Sequence, residues 1–321
     1  MGLVSRITRR IKLEKKLMLL FLFRKFKFFK PENSILIFSD PRGGSTWLAE
    51  LLECIPNSFI FWEPFAEIYK KPLKSLHFGW RQHIPQGMVW LKAKKVINSI
   101  LSVSFFTEFT SLKLTPVLLW KGKTPIIKIC RGNDFLIWLT DQYNFKYKPL
   151  YIIRHPFAVV ASQLKQGGWD YKFNKFEVPK MPFNNKYIEH QEFLFSLESK
   201  EEQLCAVWCI TNKENVSCVS GKFILITYEQ LFLEPQLIIS SIFKDWGITV
   251  PNQINSRISA KSSTTIDFME GDSKEKQLSK WNTYFSIDQI QRLQKVLDYF
   301  NVDFYNSKTY VSESLWIKKA I

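Results

Sequence analysis

Three segments of the chain carry residue types that could bind or act on an anionic ligand. The first reads Asp40-Pro41-Arg42-Gly43-Gly44-Ser45-Thr46-Trp47 and leads into an amphipathic stretch. The glycines permit a tight turn with inward-pointing N–H groups, and Ser45 and Thr46 open a helix whose positive end attracts a phosphate. The segment therefore predicts an anion-binding loop. It is not a Walker A loop, because GxxxxGK[ST] is missing and Arg42 precedes the glycines, which favours a nucleotide without β and γ phosphates.

The other two segments each follow a β-like run. Arg154 ends the run Tyr151-Ile152-Ile153, and Ser162 lies eight residues later on the helix that Pro156 opens. A guanidinium and a hydroxyl so placed could grip one phosphate, although an ion pair and a solvent-facing serine are the alternative. Glu63 follows Phe61-Trp62. Burial there could raise its pKa and suit it to proton abstraction, whereas a helix N-cap or an ion pair is the alternative.

Five short β-branched and aromatic runs alternate with helical patterns and must position these segments. They are Ser34–Ser39, Phe59–Trp62, Pro125–Cys130, Pro149–Ile153 and Phe223–Thr227. This order predicts an α/β, P-loop-type three-layer fold with a central, mostly parallel five-stranded sheet flanked by helices. Ligands bind beyond the carboxyl ends of such strands, where all three segments lie. Residues 31–321 form one predicted domain with helical insertions near 65–123 and 165–221.

Charge is concentrated at the N-terminal end of the 321-residue chain. The net charge is +16, and residues 1–30 hold ten Lys and Arg against Glu14 alone. The apolar run Leu17–Phe23 is too short to span a bilayer, and no cleavage-type signal follows it. Residues 1–30 are therefore predicted to be either a solvated basic helix or a helix on an anionic membrane surface. A cytoplasmic protein, held peripherally at a membrane in the second case, is the expectation.

Five cysteines, Cys54, Cys130, Cys205, Cys209 and Cys218, show neither a CxxC pair nor metal-ligand spacing with histidine. An odd number of thiols without such a pattern is typical of buried cysteines in a reducing compartment. The composition, with 46% hydrophobic residues, 12 Gly and 14 Pro, excludes a disordered, collagenous or disulfide-framework chain. No metal is expected.

Together these motifs resemble the sulfotransferase superfamily, which uses 3′-phosphoadenosine 5′-phosphosulfate (PAPS) as sulfuryl donor. Residues 42–48 are similar to the family's 5′-phosphosulfate loop, and Ile153-Arg154-His155-Pro156 through Ser162 is similar to its 3′-phosphate motif. Two further segments, Ile226–Leu231 with Glu234-Pro235 and Leu278–Trp281, look closest to the protein-tyrosine sulfotransferase branch and its bacterial relatives. The similarity extends over residues 34–306, in detail only at the motifs.

The resemblance implies roles for individual residues. The donor would be bound by Arg42, Gly43, Gly44, Ser45, Thr46, Trp47, Arg154, Ser162, Tyr228 and Lys280. Glu63 would be the general base and Lys128 would assist transfer, with Arg42, Lys128 and the loop amides stabilising the leaving oxygen. One departure is Gln166, which stands where the branch has a second arginine. A catalytic histidine is the alternative of another subgroup, for which His77 and His83 are the nearby residues.

The acceptor is predicted less specifically. Aromatic residues in the insertions, Trp80, Trp90, Trp120, Trp169 and Tyr171, either stack on an acceptor or belong to the core. A hydroxyl of a saccharide or glycolipid is the first expectation and a peptidyl tyrosine the second. Lys92, Lys94 and Lys95 form a basic cluster that either welcomes an acidic acceptor or is simply a solvated helix face.

Two rival classes remain open. A P-loop kinase would bind ATP with Mg²⁺ but would need a loop lysine. A nucleic-acid-binding module would suit a pI near 9.5, but most of the net charge lies in residues 1–30 and no nucleic-acid motif is present. The oligomeric state is not predicted.

Overall fold

Five parallel strands form the central sheet of the protein, in the order β2-β3-β1-β4-β5. A computed structural model describes residues 3–167, 175–218, 221–259, 263 and 273–316. The strands are β1 (Ile35–Ser39), β2 (Ser58–Trp62), β3 (Thr124–Ile129), β4 (Leu150–Ile153) and β5 (Ile224–Thr227). The predicted α/β fold with a five-stranded sheet is confirmed, and the predicted strand bounds differ from these by one residue at most.

Helices connect and cover the strands. The first seven are α1 (Leu3–Phe26), α2 (Ser45–Leu52), α3 (Leu91–Leu101), α4 (Pro116–Lys121), α5 (Leu136–Gln142), α6 (Pro156–Lys165) and α7 (Asn185–Glu189). The others are α8 (Gln191–Ser196), α9 (Lys200–Ser217), α10 (Tyr228–Leu233), α11 (Pro235–Asp245), α12 (Ile254–Ser259), α13 (Lys274–Leu278), α14 (Trp281–Tyr284) and α15 (Ile287–Tyr299). Short 3₁₀ turns lie at Pro31–Asn33, Pro64–Ala66, Leu73–Leu76 and Asn133–Phe135.

The sheet separates two hydrophobic cores. Alternate β1 residues point to opposite faces, so Leu36 and Phe38 belong to one core and Ile35 and Ile37 to the other. The first core lies under α6, α9 and α15, and the second under α2 and α11. Because both faces are covered, the strands read as continuous hydrophobic runs, which is why they were recognisable in the sequence.

The insertion at residues 65–123 contains less helix than predicted. Helices α3 and α4 are joined to the sheet by long turns and loops. Aromatic side chains hold the segment before α3 in place. Trp90, at the start of α3, lies near Phe78 and packs edge-on against Phe183 of the other insertion. Aromatic packing rather than helical periodicity therefore shapes this segment.

Helix α1 docks on the body along one side. Leu20 is fully buried, Lys16 Nζ donates to the Ser111 carbonyl at 2.6 Å, and Arg24 Nε donates to the Ser102 carbonyl at 3.0 Å. The inner side of α1 is therefore packed against the body rather than solvated. Among the described helices, none has the length and apolar character needed to cross a bilayer.

The carboxyl ends of all five strands lie at one edge of the sheet, and the residues that could bind or act on a ligand follow directly after them. Asp40 follows β1, Glu63 follows β2, Cys130 follows β3, Arg154 follows β4 and Tyr228 follows β5. In the pairing of β2 with β3, Trp62 lies opposite Lys128. The sheet therefore brings together residues that lie up to almost 190 positions apart in the chain.

Candidate active site

The loop between β1 and α2 makes a tight turn closed by a hydrogen bond from Gly43 N to Asp40 O of 2.9 Å. Arg42 has φ 72° and Gly44 has φ 98°, so the chain passes twice through the left-handed region. The first backbone bond of α2 runs from Leu48 N to Gly44 O. The amides of Gly44, Ser45, Thr46 and Trp47 precede it and lie outside the helical ladder, where they can donate to an anion.

Two arginines meet beside this loop. Arg42 Nε donates to Ser162 Oγ at 2.9 Å, and Arg154 Nη1 donates to the Arg42 carbonyl at 3.1 Å. The Arg42 side chain is therefore directed towards α6, which carries Ser162. The structure thus brings Arg42, Arg154 and Ser162 together at this end of the sheet.

Arg154 has unused capacity to bind an anion. Its Nε is buried and has no hydrogen-bond partner among the described residues. No carboxylate among those residues forms an ion pair with the Arg154 guanidinium. Its guanidinium lies over the Tyr228 ring, 4.4 Å from the centroid. A buried donor with a positive charge is costly unless a ligand supplies an acceptor, so this position fits a phosphate group.

Tyr228 closes the loop from the side of β5. Its ring packs edge-on against Trp47 of α2, and a Cβ atom added to Gly44 would lie 2.2 Å from Tyr228 Cδ2. The loop can therefore approach Tyr228 only because residue 44 has no side chain. Thr227 caps α10 by accepting from Gln230 N at 3.2 Å, which fixes the ring at the start of the helix.

Lys280 directly precedes Trp281, which packs beside the arginine cluster. Trp281 stacks on the His155 ring, with centroids 4.7 Å apart and 16° between the planes. His155 directly follows Arg154, so the stack places α14 beside the arginine cluster. Lys280 is half-buried at the start of α14.

At the β2–β3 side of the edge, Glu63 forms ion pairs with two cations. One carboxylate oxygen contacts Lys128 Nζ, and the other accepts from Arg131 Nη1 at 3.0 Å. The Glu63 side chain is 13% exposed and Lys128 4%. Indole rings flank the cluster, since Lys128 Nζ lies 4.3 Å from the Trp62 ring and the Arg131 guanidinium 4.4 Å from the Trp80 ring.

The ion pairs reverse the expected pKa shift of Glu63. Burial by itself raises the pKa of this carboxyl, as the sequence suggested, but Lys128 and Arg131 outweigh burial and hold its pKa below the ordinary value. Burial likewise lowers the pKa of Lys128, while Cys130 and Glu63 more than offset it and raise that pKa. The prediction of a raised Glu63 pKa is therefore wrong, and the group is a carboxylate at neutral pH.

Cys130 connects the Glu63 cluster to the anion-binding loop. Its Sγ lies 3.1 Å from Lys128 Nζ and 3.2 Å from Ser45 Oγ. Burial raises the pKa of this thiol to about 11, so it is neutral at physiological pH. The contacts place Lys128 between a carboxylate and the first residue of α2, within one continuous site.

Several residues at the site were missed from the sequence. Asp40 is buried and pairs with Arg81 Nη1 at 2.8 Å, while Asn212 Nδ2 donates to its second oxygen at 2.6 Å. Arg131 is the other missed cation. Its position three residues after Lys128, beyond the predicted strand end, was an available signal, whereas nothing near Arg81 or Asn212 in the sequence points to Asp40.

The two histidines considered as alternative bases and the aromatic residues considered for the acceptor have no described contact with Arg42, Glu63 or Lys128, except Trp80, which lies beside Arg131. His83 Nδ1 lies 3.0 Å from the Asp134 carbonyl, and burial lowers its pKa to about 4, while His77 is exposed. Trp120 lies on α4 beside Phe23. Trp169 and Tyr171 lie outside the described residues. Within the described ranges, no group of three or more His, Cys, Asp or Glu could hold a metal ion.

Replacing Gly44 with alanine is expected to destabilise the protein by more than the strain of its φ angle alone, about 1–3 kcal/mol. The added methyl would overlap the Tyr228 ring. Gly87→Ala is the matched control, because Gly87 also has a positive φ of 76° but nothing lies within 4 Å of its added Cβ. Urea unfolding of both variants measures the difference, and equal losses would show that the loop does not press against Tyr228.

Solved sulfotransferase structures are similar to this chain. Mouse sulfotransferase SULT7A1 complexed with PAP is 13% identical, with 89% of this chain and 90% of that one covered and a TM-score of 0.44. The sulfotransferase domain of the curacin biosynthetic pathway is 15% identical over 84% and 97% of the two chains, with a TM-score of 0.45. That of the Synechococcus PCC 7002 olefin synthase is 15% identical over 84% and 98%, with a TM-score of 0.38. The sequence matches no protein-family model and no curated protein.

Proposed function

We propose that the protein is a sulfotransferase that moves a sulfuryl group from PAPS to an acceptor hydroxyl. The observation that carries the proposal is the presence, at one sheet edge, of an anion-binding loop, a half-buried arginine with a buried and unused donor atom, and a carboxylate paired with a lysine. The first two features suit a donor with two separate phosphate groups. The third suits removal of a proton from the acceptor.

The donor-binding residues divide between the two phosphate groups. The loop amides of residues 44–47 and the start of α2 would hold the 5′-phosphosulfate, while Arg154 and Ser162 would hold the 3′-phosphate. Arg42 donates a hydrogen bond to Ser162 on α6, so its guanidinium is directed away from Glu63. We therefore assign Arg42 to binding the phosphates of the donor. Tyr228 and Lys280 would contact the nucleotide from the β5 and α14 sides.

The reaction exchanges one sulfur–oxygen bond for another. The bond from sulfur to the bridging phosphate oxygen breaks, a bond to the acceptor oxygen forms, and the acceptor proton passes to a Glu63 carboxylate oxygen. The products are adenosine 3′,5′-bisphosphate and a sulfate ester. Negative charge builds on the bridging oxygen in a loose transition state, by analogy with phosphoryl transfer, so preorganised cations lower the barrier.

Glu63 and Lys128 can act together in this step. Before reaction, the Lys128 charge is balanced by the Glu63 carboxylate. When Glu63 takes the proton it becomes neutral, and the Lys128 charge is no longer balanced by it at the moment when charge appears on the leaving oxygen. Proton removal and stabilisation of the leaving group are thereby coupled through one ion pair.

We propose a saccharide or glycolipid hydroxyl as the acceptor, with a peptidyl tyrosine as the competing class. Transfer of ³⁵S from labelled PAPS to a saccharide, a glycolipid in vesicles and a tyrosine peptide tests this, with the full chain as enzyme. Label is expected on the saccharide or glycolipid. Label on the peptide alone would contradict the acceptor class while leaving sulfuryl transfer intact, and no label on any acceptor, together with no binding of the bisphosphate, would contradict the function.

A further inference from the structure

Helix α1 carries an apolar stripe on the side that faces away from the body. Its members are Ile7, Ile11, Met18, Leu22 and Phe26, spaced so that they follow one side of the helix. Between 44% and 73% of each of these side chains is exposed. We call these five residues the α1 outer face.

The orientation of this face is fixed by contacts on the opposite side of the helix. Leu20, Lys16 and Arg24 hold the inner side, and on the flank of the helix the half-exposed Phe21 ring packs edge-on against Phe106 with centroids 5.2 Å apart. Since the inner side is bound to the body, the helix cannot turn to bury the apolar stripe. Large apolar side chains held in solvent in this way mark an interaction surface.

The neighbouring helix α4 also carries exposed apolar side chains. Trp120 is 51% exposed and its ring lies 5.4 Å from that of Phe23 on α1. Val117, one turn earlier on α4, is also exposed. Exposed apolar side chains are therefore present on two helices that pack together, and they include a tryptophan, the side chain that favours the interface of a membrane with water.

The charges around this surface indicate what covers it. Helix α1 holds eight Lys and Arg against Glu14 alone, and Lys12, Lys15 and Lys25 are exposed on it. A second copy would bring two strongly basic helices together, which like-charge repulsion opposes. Nucleic acid would offer phosphates to the lysines but nothing to the apolar stripe. An anionic lipid bilayer offers partners to both.

We propose that the α1 outer face, with Val117 and Trp120, lies in the headgroup region of an anionic membrane. The helix lies along the surface, with its apolar side chains inserted and the lysines reaching the lipid headgroups. With 24 residues, α1 is about 36 Å long, so the contact runs along the whole helix. This inference is independent of the proposed reaction, because it uses no residue of the candidate active site.

Co-sedimentation of the full chain with phosphatidylcholine vesicles, with and without phosphatidylserine, tests the proposal. Wild type is expected to bind the phosphatidylserine vesicles. The double variant Met18→Asp/Leu22→Asp is expected to bind about tenfold more weakly or worse, because it places charges among the inserted side chains. Lys12→Glu/Lys15→Glu is expected to lose about 25-fold or more, at about fivefold per basic residue.

Matched variants elsewhere on the surface serve as controls. Ile287→Asp changes an apolar residue of α15 that is 75% exposed, and Lys92→Glu/Lys95→Glu reverses two exposed lysines of α3. Both are expected to bind vesicles like wild type. Failure of wild type to bind phosphatidylserine vesicles, or equal binding by all variants, would overturn the proposal. So would a dimer in lipid-free solution that Met18→Asp/Leu22→Asp dissociates, because the face would then join two copies of this chain.

Discussion

Glu63→Gln is expected to reduce turnover by about 10²–10⁴-fold, the usual contribution of a positioned general base. Glutamine keeps the size of the side chain but cannot take the proton from the hydroxyl of the acceptor. Binding of adenosine 3′,5′-bisphosphate is expected to change little, because the donor contacts are assigned to the loop and the arginine cluster. Steady-state rates with ³⁵S-labelled donor and bisphosphate titrations measure the two effects separately.

The control for this variant is Glu50→Gln on α2. Glu50 is 15% exposed, close to the 13% of Glu63, and pairs with Lys113 at 3.3 Å. The two substitutions therefore remove the same charge from carboxylates of similar exposure, each paired with a lysine. If both variants turned over at the same near-wild-type rate, Glu63 would not be the base.

The lowered pKa of Glu63 gives the pH dependence a definite sign. The carboxylate is ionised throughout the neutral range, so this group limits activity only in acid, below the ordinary carboxyl pKa. Stability follows the same direction. A folded-state pKa below the unfolded value stabilises the protein above the unfolded pKa, and this stabilisation is lost as the pH falls through the folded pKa. Acid unfolding of wild type against Glu63→Gln measures it.

Lys128→Met is expected to lower turnover by about 10²–10³-fold, comparable to the loss of an oxyanion-stabilising donor. Methionine fills a similar volume but has no ammonium group to stabilise the negative charge on the leaving oxygen. Glu63 keeps its contact with Arg131, so the carboxylate remains ionised. The rate of sulfuryl transfer at saturating donor and acceptor is the quantity to measure.

Lys186→Met separates this effect from the general cost of breaking a buried ion pair. Lys186 pairs with Asp134 and Glu214 away from the loop. Both substitutions are expected to lower the melting temperature. Only Lys128→Met is expected to lower the turnover per molecule of folded enzyme. Equal loss of turnover in the two variants would remove Lys128 from the chemistry.

The strands and the turn of the loop after β1 were predictable because local features define them. Most strand residues are buried, so the strands appear as short hydrophobic runs, and the loop around Gly43 and Gly44 needs its glycines for its backbone geometry. The placement of Arg42 and Ser162, 120 residues apart, at the same end of the sheet could be predicted as well, although their hydrogen bond was not. Both residues belong to segments that follow strand ends, and parallel strands bring those ends together.

The electrostatic state of Glu63 could not be predicted in the same way. Against the effect of burial, its pKa is lowered first by Lys128, whose ion pair with Glu63 only the folded chain shows, and further by Arg131, which lies 68 residues away and belongs to no motif. The pairing of Asp40 with Arg81 and Asn212 likewise joins the loop to an insertion and to α9. The docking of α1 depends on carbonyls at Ser102 and Ser111, whose position only the folded chain defines.

The most direct test of the central claim is a thermal-shift titration with adenosine 3′,5′-bisphosphate, beside ATP with and without Mg²⁺. The bisphosphate is expected to stabilise wild type by about 2.7 kcal/mol at one hundred times its Kd. It is expected to stabilise Arg154→Ala far less, and Arg154→Lys, which keeps the charge but not the fork of donors, to an intermediate extent. Stabilisation by Mg²⁺-ATP alone, or equal stabilisation of all three proteins by the bisphosphate, would contradict the proposed donor site.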